Sequence, residues 1–212
     1  GDAYMNEKED YNNSILAYTT LLEMYPNHPT APEVQNRIVQ SYRRMEKKEE
    51  AYSAREQLFS GYTDGSDWWV NNTDNDARDA ANQLAESAQR DNISVLLQDG
   101  QDNDDSLKYV QCIAESKRYL QAFPTDSNAV LIHWNMALTM DTKLKQTDEA
   151  YQEYLIISTK YWDSQYQQSA AVHAVALARD AALSAIAAAE EQASEEQKVT
   201  IEDLKAQAGE DK

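Results

Sequence analysis

YNNSILAYTTLLEMYPNHPTAPEVQNRIVQSYRRM, residues 11–45, is the stretch on which the fold turns. Tyr11, Ile15, Tyr18, Leu21, Leu22 and Tyr25 recur at three- and four-residue spacing, which places them on one stripe of a helix. Pro26 follows at once, and a residue without an N–H ends a helix there. After Pro29 and Pro32 a second stripe opens with Val34, Ile38, Val39, Tyr42 and Met45. Glu46–Glu49 reads as a polar turn, and Ala51, Leu58, Phe59 and Tyr62 mark a third helix. Short helices joined by short turns form hairpins, and one hairpin cannot bury its apolar face alone, so neighbours must stack. The fold class expected is all-α, built of stacked antiparallel helical hairpins.

Working outward, the same pattern returns later in the chain. Tyr11 aligns with Tyr109, Ile15 with Ile113, Leu22 with Leu120, Tyr25-Pro26 with Phe123-Pro124, and Ala31 with Ala129. After a one-residue shift, Ala51-Tyr52 meets Ala150-Tyr151 and Tyr62 meets Tyr161; further on, Arg78-Asp79-Ala80-Ala81 meets Arg179-Asp180-Ala181-Ala182. The chain therefore reads as two related helical units, residues 1–97 and 104–212. A polar, Asp-rich loop over Gln98–Ser106 follows the first unit. Residues 63–75 form a second loop carrying Trp68-Trp69. Residues 164–192 are expected to form an Ala-rich capping helix that docks through Ala171, Val175, Ala178, Ala182, Ile186 and Ala189. Val199, Ile201 and Leu204 extend that contact.

Composition narrows the function classes. A formal net charge of −18 repels phosphate backbones and anionic lipids, so nucleic acid is not an expected partner. No apolar run approaches the roughly 20 residues that span a bilayer, so no direct membrane insertion of this segment is expected. Cys112 stands alone, without a disulfide or thiolate-cluster partner, and reads as a small core residue.

The hairpins resemble the tetratricopeptide repeats. Gly1-Asp2-Ala3-Tyr4 fits the last turn of that family's first helix; Ser14, Tyr18 and Pro26 fit the small residue, aromatic and terminal Pro of its second. Ala150 and Tyr154 fit again, while Leu21, Leu58 and Ile157 depart from the family's usual Ala. The stretch LLEMYPNHPTAPEVQ is similar to repeats of bacterial envelope proteins of the outer-membrane-assembly, Tol-Pal-associated and gliding-motility types. The resemblance implies a superhelical α-solenoid with a truncated first hairpin and further repeats upstream. It also implies a periplasmic or envelope setting, with the cytoplasm as the other compartment, and a non-catalytic scaffold function.

Site residues follow from the groove that such hairpins line. Counting from Tyr42, the residues expected to face it are Asn36, Gln40, Arg43 and Arg44; counting from Met140, they are Trp134, Leu138 and Asp141. Amide, guanidinium and indole groups suit an extended peptide, and Arg43-Arg44 offer a carboxylate clamp. Trp68 and Trp69, if exposed, would anchor an interface. His28, His133 and His173 lie on separate elements without a nucleophile motif, and the Asp-rich segments lack the alternate-residue Ca²⁺ loop. No enzyme activity, cofactor or metal is expected. The expected function is protein–protein interaction: a peptide or partner protein held along the concave groove. Glycan or small-ligand binding by Trp and Tyr is the alternative.

Overall fold

The computed structural model describes the backbone of residues 1–7 and 10–210, with side chains for 1–6, 10–195 and 198. Among these residues every regular element is helical. A π-helical turn, Ala3–Glu7, precedes α1 (Tyr11–Met24), α2 (Ala31–Arg44), α3 (Lys48–Tyr62), the short α4 (Asp67–Asn71), α5 (Asn75–Asn103) and α6 (Ser106–Ala122). Then come α7 (Ala129–Thr139), a second π-helical turn (Met140–Leu144), α8 (Thr147–Lys160) and α9 (Gln167–Glu210). By packing the chain divides into Gly1–Ile132 and His133–Lys212. The sequence break at 97–104 falls in the C-terminal turns of α5, inside the first of these units, where α5 packs on α6.

In the first unit α2 packs on α1 and α3, and α5 packs on α3 and α6. The contacts are close because the buried positions are small: Ala31, Ala51, Ala54, Ala81, Ala85 and Ala88 are all nearly inaccessible. Larger side chains fill the spaces between, including Ile38 and Val39 of α2 beside Tyr18 of α1. Leu21 and Tyr25, expected on the α1 stripe, are instead exposed, so α1 buries a narrower face than its sequence suggests. Cys112 lies within the α5–α6 core, where burial pushes its thiol up to about 11 and leaves it protonated.

One turn recurs after α1, α6 and α8. Tyr25 N–H donates to Leu21 O, His28 N–H to Tyr25 O and Ala31 N–H to His28 O. Phe123, Asp126 and Ala129 repeat that ladder on Tyr119, Phe123 and Asp126; Tyr161, Ser164 and Gln167 repeat it on Ile157, Tyr161 and Ser164. An aromatic thus ends each of these helices, and the next begins six residues on. A second recurrence lies in the tight turns before α3, α6 and α8, where Glu46, Asp104 and Lys145 each take a left-handed backbone conformation. The hairpin itself is therefore the repeating element.

Two expected loops differ. Helix α5 runs through Asn103, so Gln98–Asn103 are helical and only Asp104 and Asp105 lie outside helices before α6. Gly100 misleads as a loop residue: a Cβ there would lie 2.9 Å from the Tyr109 ring, so glycine permits close approach of α5 to α6. Gln98 and Asp102 pair at 2.7 Å along the exposed side of the same helix. Within residues 63–75, Ser66 caps α4 by accepting the Trp69 N–H, so the Trp pair is helical.

The second unit corrects the docking register of the C-terminal helix. Ala170 and Ala174 are buried on α9, whereas Ala171, Val175, Ala178, Ala182, Ile186 and Ala189 are all exposed. The two stripes are each small and apolar, so periodicity alone cannot choose between them. Val199, Ile201 and Leu204 lie outside the described side chains. Residues Gln167–Glu195 are also long and apolar enough to cross a membrane by length and composition, with a mean hydropathy of 1.4 over the best window. The expectation that no run reaches spanning length is amended for this helix.

Two substitutions of opposite sign test the local geometry. Gly100→Ala should destabilise by about 1 kcal/mol in urea titration, the Tyr109 clash outweighing the gain in helix propensity. Lys145→Gly should stabilise by roughly 0.5 kcal/mol, since relief of the left-handed strain exceeds the entropic cost of glycine.

Asp126 supplies a pH signature. It accepts from Tyr119 Oη–H and Asn128 N–H, each at 2.7 Å. Burial pushes its carboxyl up, but the bonds from Asn128 and Tyr119 outweigh that and hold it below the ordinary range. A depressed carboxyl stabilises the fold above its unfolded pKa, and that stabilisation is lost as pH falls through the folded value. Asp126→Ala should therefore cost about 1 kcal/mol at neutral pH, with a deficit that shrinks in acid, read by urea titration across pH.

Candidate binding groove

The first unit carries an open groove of about 520 Å³ where the C-terminal end of α2 meets α3 and α5. Arg43, Lys47, Lys48 and Arg55 line it, four of the chain's nineteen Lys and Arg, opposed by Glu46 and Asp99. A local excess of positive charge in a chain of net −18 marks it as a place for an anionic group. Ala51 and Val95 supply an apolar wall and Gln98 an exposed amide.

Each cation is placed by a different local cause. Arg43 ends the exposed side of α2, where basic residues complement the helix dipole. Its guanidinium lies 3.7 Å from Asp91 of α5, both groups being well exposed, so this pair holds it only weakly. Lys47 and Lys48 open α3 beside the tight turn at Glu46. Arg55 is set among the buried positions of α3, only 5 % exposed, and its Nε–H donates to Asn92 Oδ1 of α5 at 2.6 Å. Asn92 in turn donates from Nδ2 to Tyr52 O, closing a buried polar bridge from α3 to α5. Burial pulls the Arg55 pKa down; the nearby Asp91 carboxylate pushes it up and Arg43 pulls it down again.

Asn36 and Gln40 lie on the same side of α2 as Arg43, two turns and one turn before it, and both are half-buried. Arg44 is exposed on the adjoining side and is not part of the groove lining. Trp68 is buried at 2 % exposure, with its Nε1–H donating to His28 O at 2.9 Å. It locks α4 to the α1–α2 turn, which removes it as a surface anchor. Trp69 is half-buried beneath the Arg78 guanidinium, which lies 4.9 Å from its ring centroid.

In the second unit Trp134 and Asp141 fall in one cluster of rings. Trp134 stacks on Tyr166 with centroids 5.2 Å apart, and Tyr154 stacks on His173 at 4.8 Å. Tyr154 Oη–H donates to Asp141 Oδ2 at 3.4 Å, and His173 Nδ1 lies 3.8 Å from the same carboxylate. His133 pairs separately with Glu153 at 2.6 Å. The rings are engaged with one another, so their immediate role is to fix α8 and α9 to the α7 residues. Among the described residues no group of three His, Cys, Asp or Glu could hold a metal ion.

Sequence reading found Arg43 but passed over Lys47, Lys48 and Arg55. The signal was present: Arg43 and Lys47 are four apart across a turn, and Arg55 interrupts the apolar series Ala51, Ala54, Leu58. A charge inside a buried stripe requires a partner, and here that partner is Asn92.

Against known proteins the chain matches no family model, no curated protein and no solved structure.

Arg55→Leu should cost about 2–3 kcal/mol, because it leaves the Asn92 amide buried without its donor. The double variant Arg55→Leu/Asn92→Leu should recover part of that loss, as an additivity cycle by chemical denaturation would measure. Independent, additive losses would show that the two side chains do not act together.

Proposed function

We propose that the chain is a non-catalytic helical-repeat scaffold that holds an extended peptide segment of a partner protein. The peptide's carboxylate sits among Arg43, Lys48 and Arg55. The observation that carries this reading is the concentration of cations in the α2–α3–α5 groove of an otherwise acidic chain. A carboxylate there gains charge-assisted hydrogen bonds, and the Ala51–Val95 wall accepts an apolar side chain next to it. Asn36 and Gln40, further along α2, offer amides to the peptide backbone.

The tetratricopeptide resemblance, the recurring turns and the packing of each α2, α3, α5 and α6 neighbour support a stacked-hairpin solenoid as the framework. On this reading the partner is a protein of a bacterial envelope assembly.

A degenerate library of short peptides, each made with a free or an amidated C-terminus, tests the assignment by fluorescence anisotropy. Free-carboxylate peptides should bind better, and their affinity should fall as salt rises. Arg43→Ala/Lys48→Ala should weaken them about tenfold or more, the worth of one lost charge-assisted bond, while Arg44→Ala leaves them unchanged. Equal binding of free and amidated peptides, or no loss in the double variant, would reject the groove.

A further inference from the structure

The cationic groove does not end at its apolar wall. Lys48, Val95 and Asp99 also line a second cavity, of about 380 Å³, between α3, α5 and α6. The wall of one is therefore continuous with the wall of the other. Tyr52 of α3, Leu96 of α5 and Ala114 of α6 give the second cavity its apolar side, and Lys108 adds a cation at its margin.

Tyr52 is held from behind. It packs against the core that contains Leu96, itself only 3 % exposed, and its backbone carbonyl accepts from Asn92 Nδ2 of α5. The ring is half-buried, and among the described residues it has neither a stacking partner nor a hydrogen bond to its hydroxyl. Trp134 and Tyr154 differ, because their rings are occupied by one another and by Tyr166 and His173.

Resting on the groove as the seat of a peptide carboxylate, we infer that the adjoining cavity takes an aromatic side chain from one of the two residues before the peptide's last. The ligand class is then a peptide with a free C-terminus and Phe, Tyr or Trp close upstream of it. Three features select that occupant. First, an extended chain advances roughly 3.3–3.6 Å per residue, so a peptide whose carboxylate lies beside Lys48 carries its preceding residues past Val95. Second, charge selects a neutral side chain. Lys48 and Lys108 balance Glu49 and Asp99, while the Glu115 carboxylate is already taken by Arg118 at 2.8 Å and by Gln89 at 2.6 Å. Third, a ring gains what an aliphatic chain cannot: an edge or offset contact with Tyr52 and an ammonium of Lys48 or Lys108 over its face.

Labelled hexapeptides with a free C-terminus, carrying Gly, Leu, Phe or Trp in turn at each of the two positions before the last, test this by fluorescence anisotropy. Phe or Trp at one of these positions should tighten binding about tenfold over Gly and exceed Leu. Ala114→Phe fills the cavity from an exposed position on α6, outside the carboxylate groove, and circular dichroism should show the fold unchanged. It should abolish the aromatic preference while leaving free peptides favoured over amidated ones. Tyr52→Leu keeps an apolar contact with Leu96 and should bring Phe and Trp down to the level of Leu. Indifference to the upstream residue, with free peptides still favoured, would overturn this inference and leave the carboxylate reading standing. An aromatic preference that survives both variants would also overturn it. Loss of the difference between free and amidated peptides in the wild-type chain would reject the groove itself, and this inference with it.

Discussion

Close approach of helix backbones is the constraint from which the other features follow. Ala81, Ala85 and Ala150 have no accessible surface, and Gly100 has no room for even a methyl group. Where side chains are this short, dispersion contacts are made by the backbone cylinders themselves, and any larger residue must push two helices apart. Tyr109, Tyr119 and Tyr154 fill the spaces that remain in the core, and other aromatics lie at helix ends. That is where Tyr25, Phe123 and Tyr161 close their helices and where Trp68 fastens α4 to the preceding turn.

Much of this was legible in the sequence, and what escaped did so for identifiable reasons. The stripes through Ile38 and Val39, and through Leu58 and Phe59, fixed helix type because large apolar residues leave a clear period. The Asp-rich run after Leu97 escaped because composition cannot separate a glycine needed for flexibility from one needed for proximity. The α9 register escaped because alanine occupies both sides of that helix, so Ala170 and Ala171 look alike until the neighbour is seen. At the groove, Arg43 was found by counting along one helix. Lys47, Lys48 and Arg55 required knowing how α3 meets α5, a long-range fact with no local mark.

Charge is distributed unevenly enough to organise the surface. Asp and Glu outnumber Lys and Arg by 37 to 19, so like charge opposes non-specific approach of other anionic molecules. Against that background two regions differ in kind: the cationic groove of the first unit and the exposed apolar side of α9 with Val172, Val175 and Ile186. Two buried polar side chains are bridged across helices: Arg55 to Asn92, and Gln89 through its Nε2 to Glu115, a bond of 2.6 Å. Such bridges cost desolvation but reject slipped packings of helices that alanine alone would tolerate.

The well-packed helix pairs join elements close along the chain: α1 with α2, α2 with α3, α5 with α6, α8 with α9, and α3 with α5 across the short α4. Loop-closure entropy is therefore small at every step, and ordering can begin at any hairpin and spread to the next. During synthesis the amino-terminal hairpins can consolidate before the carboxy-terminal ones have emerged. Helix α9 follows the other described helices along the chain, so the hairpins before it can pack ahead of the formation of its bare apolar side.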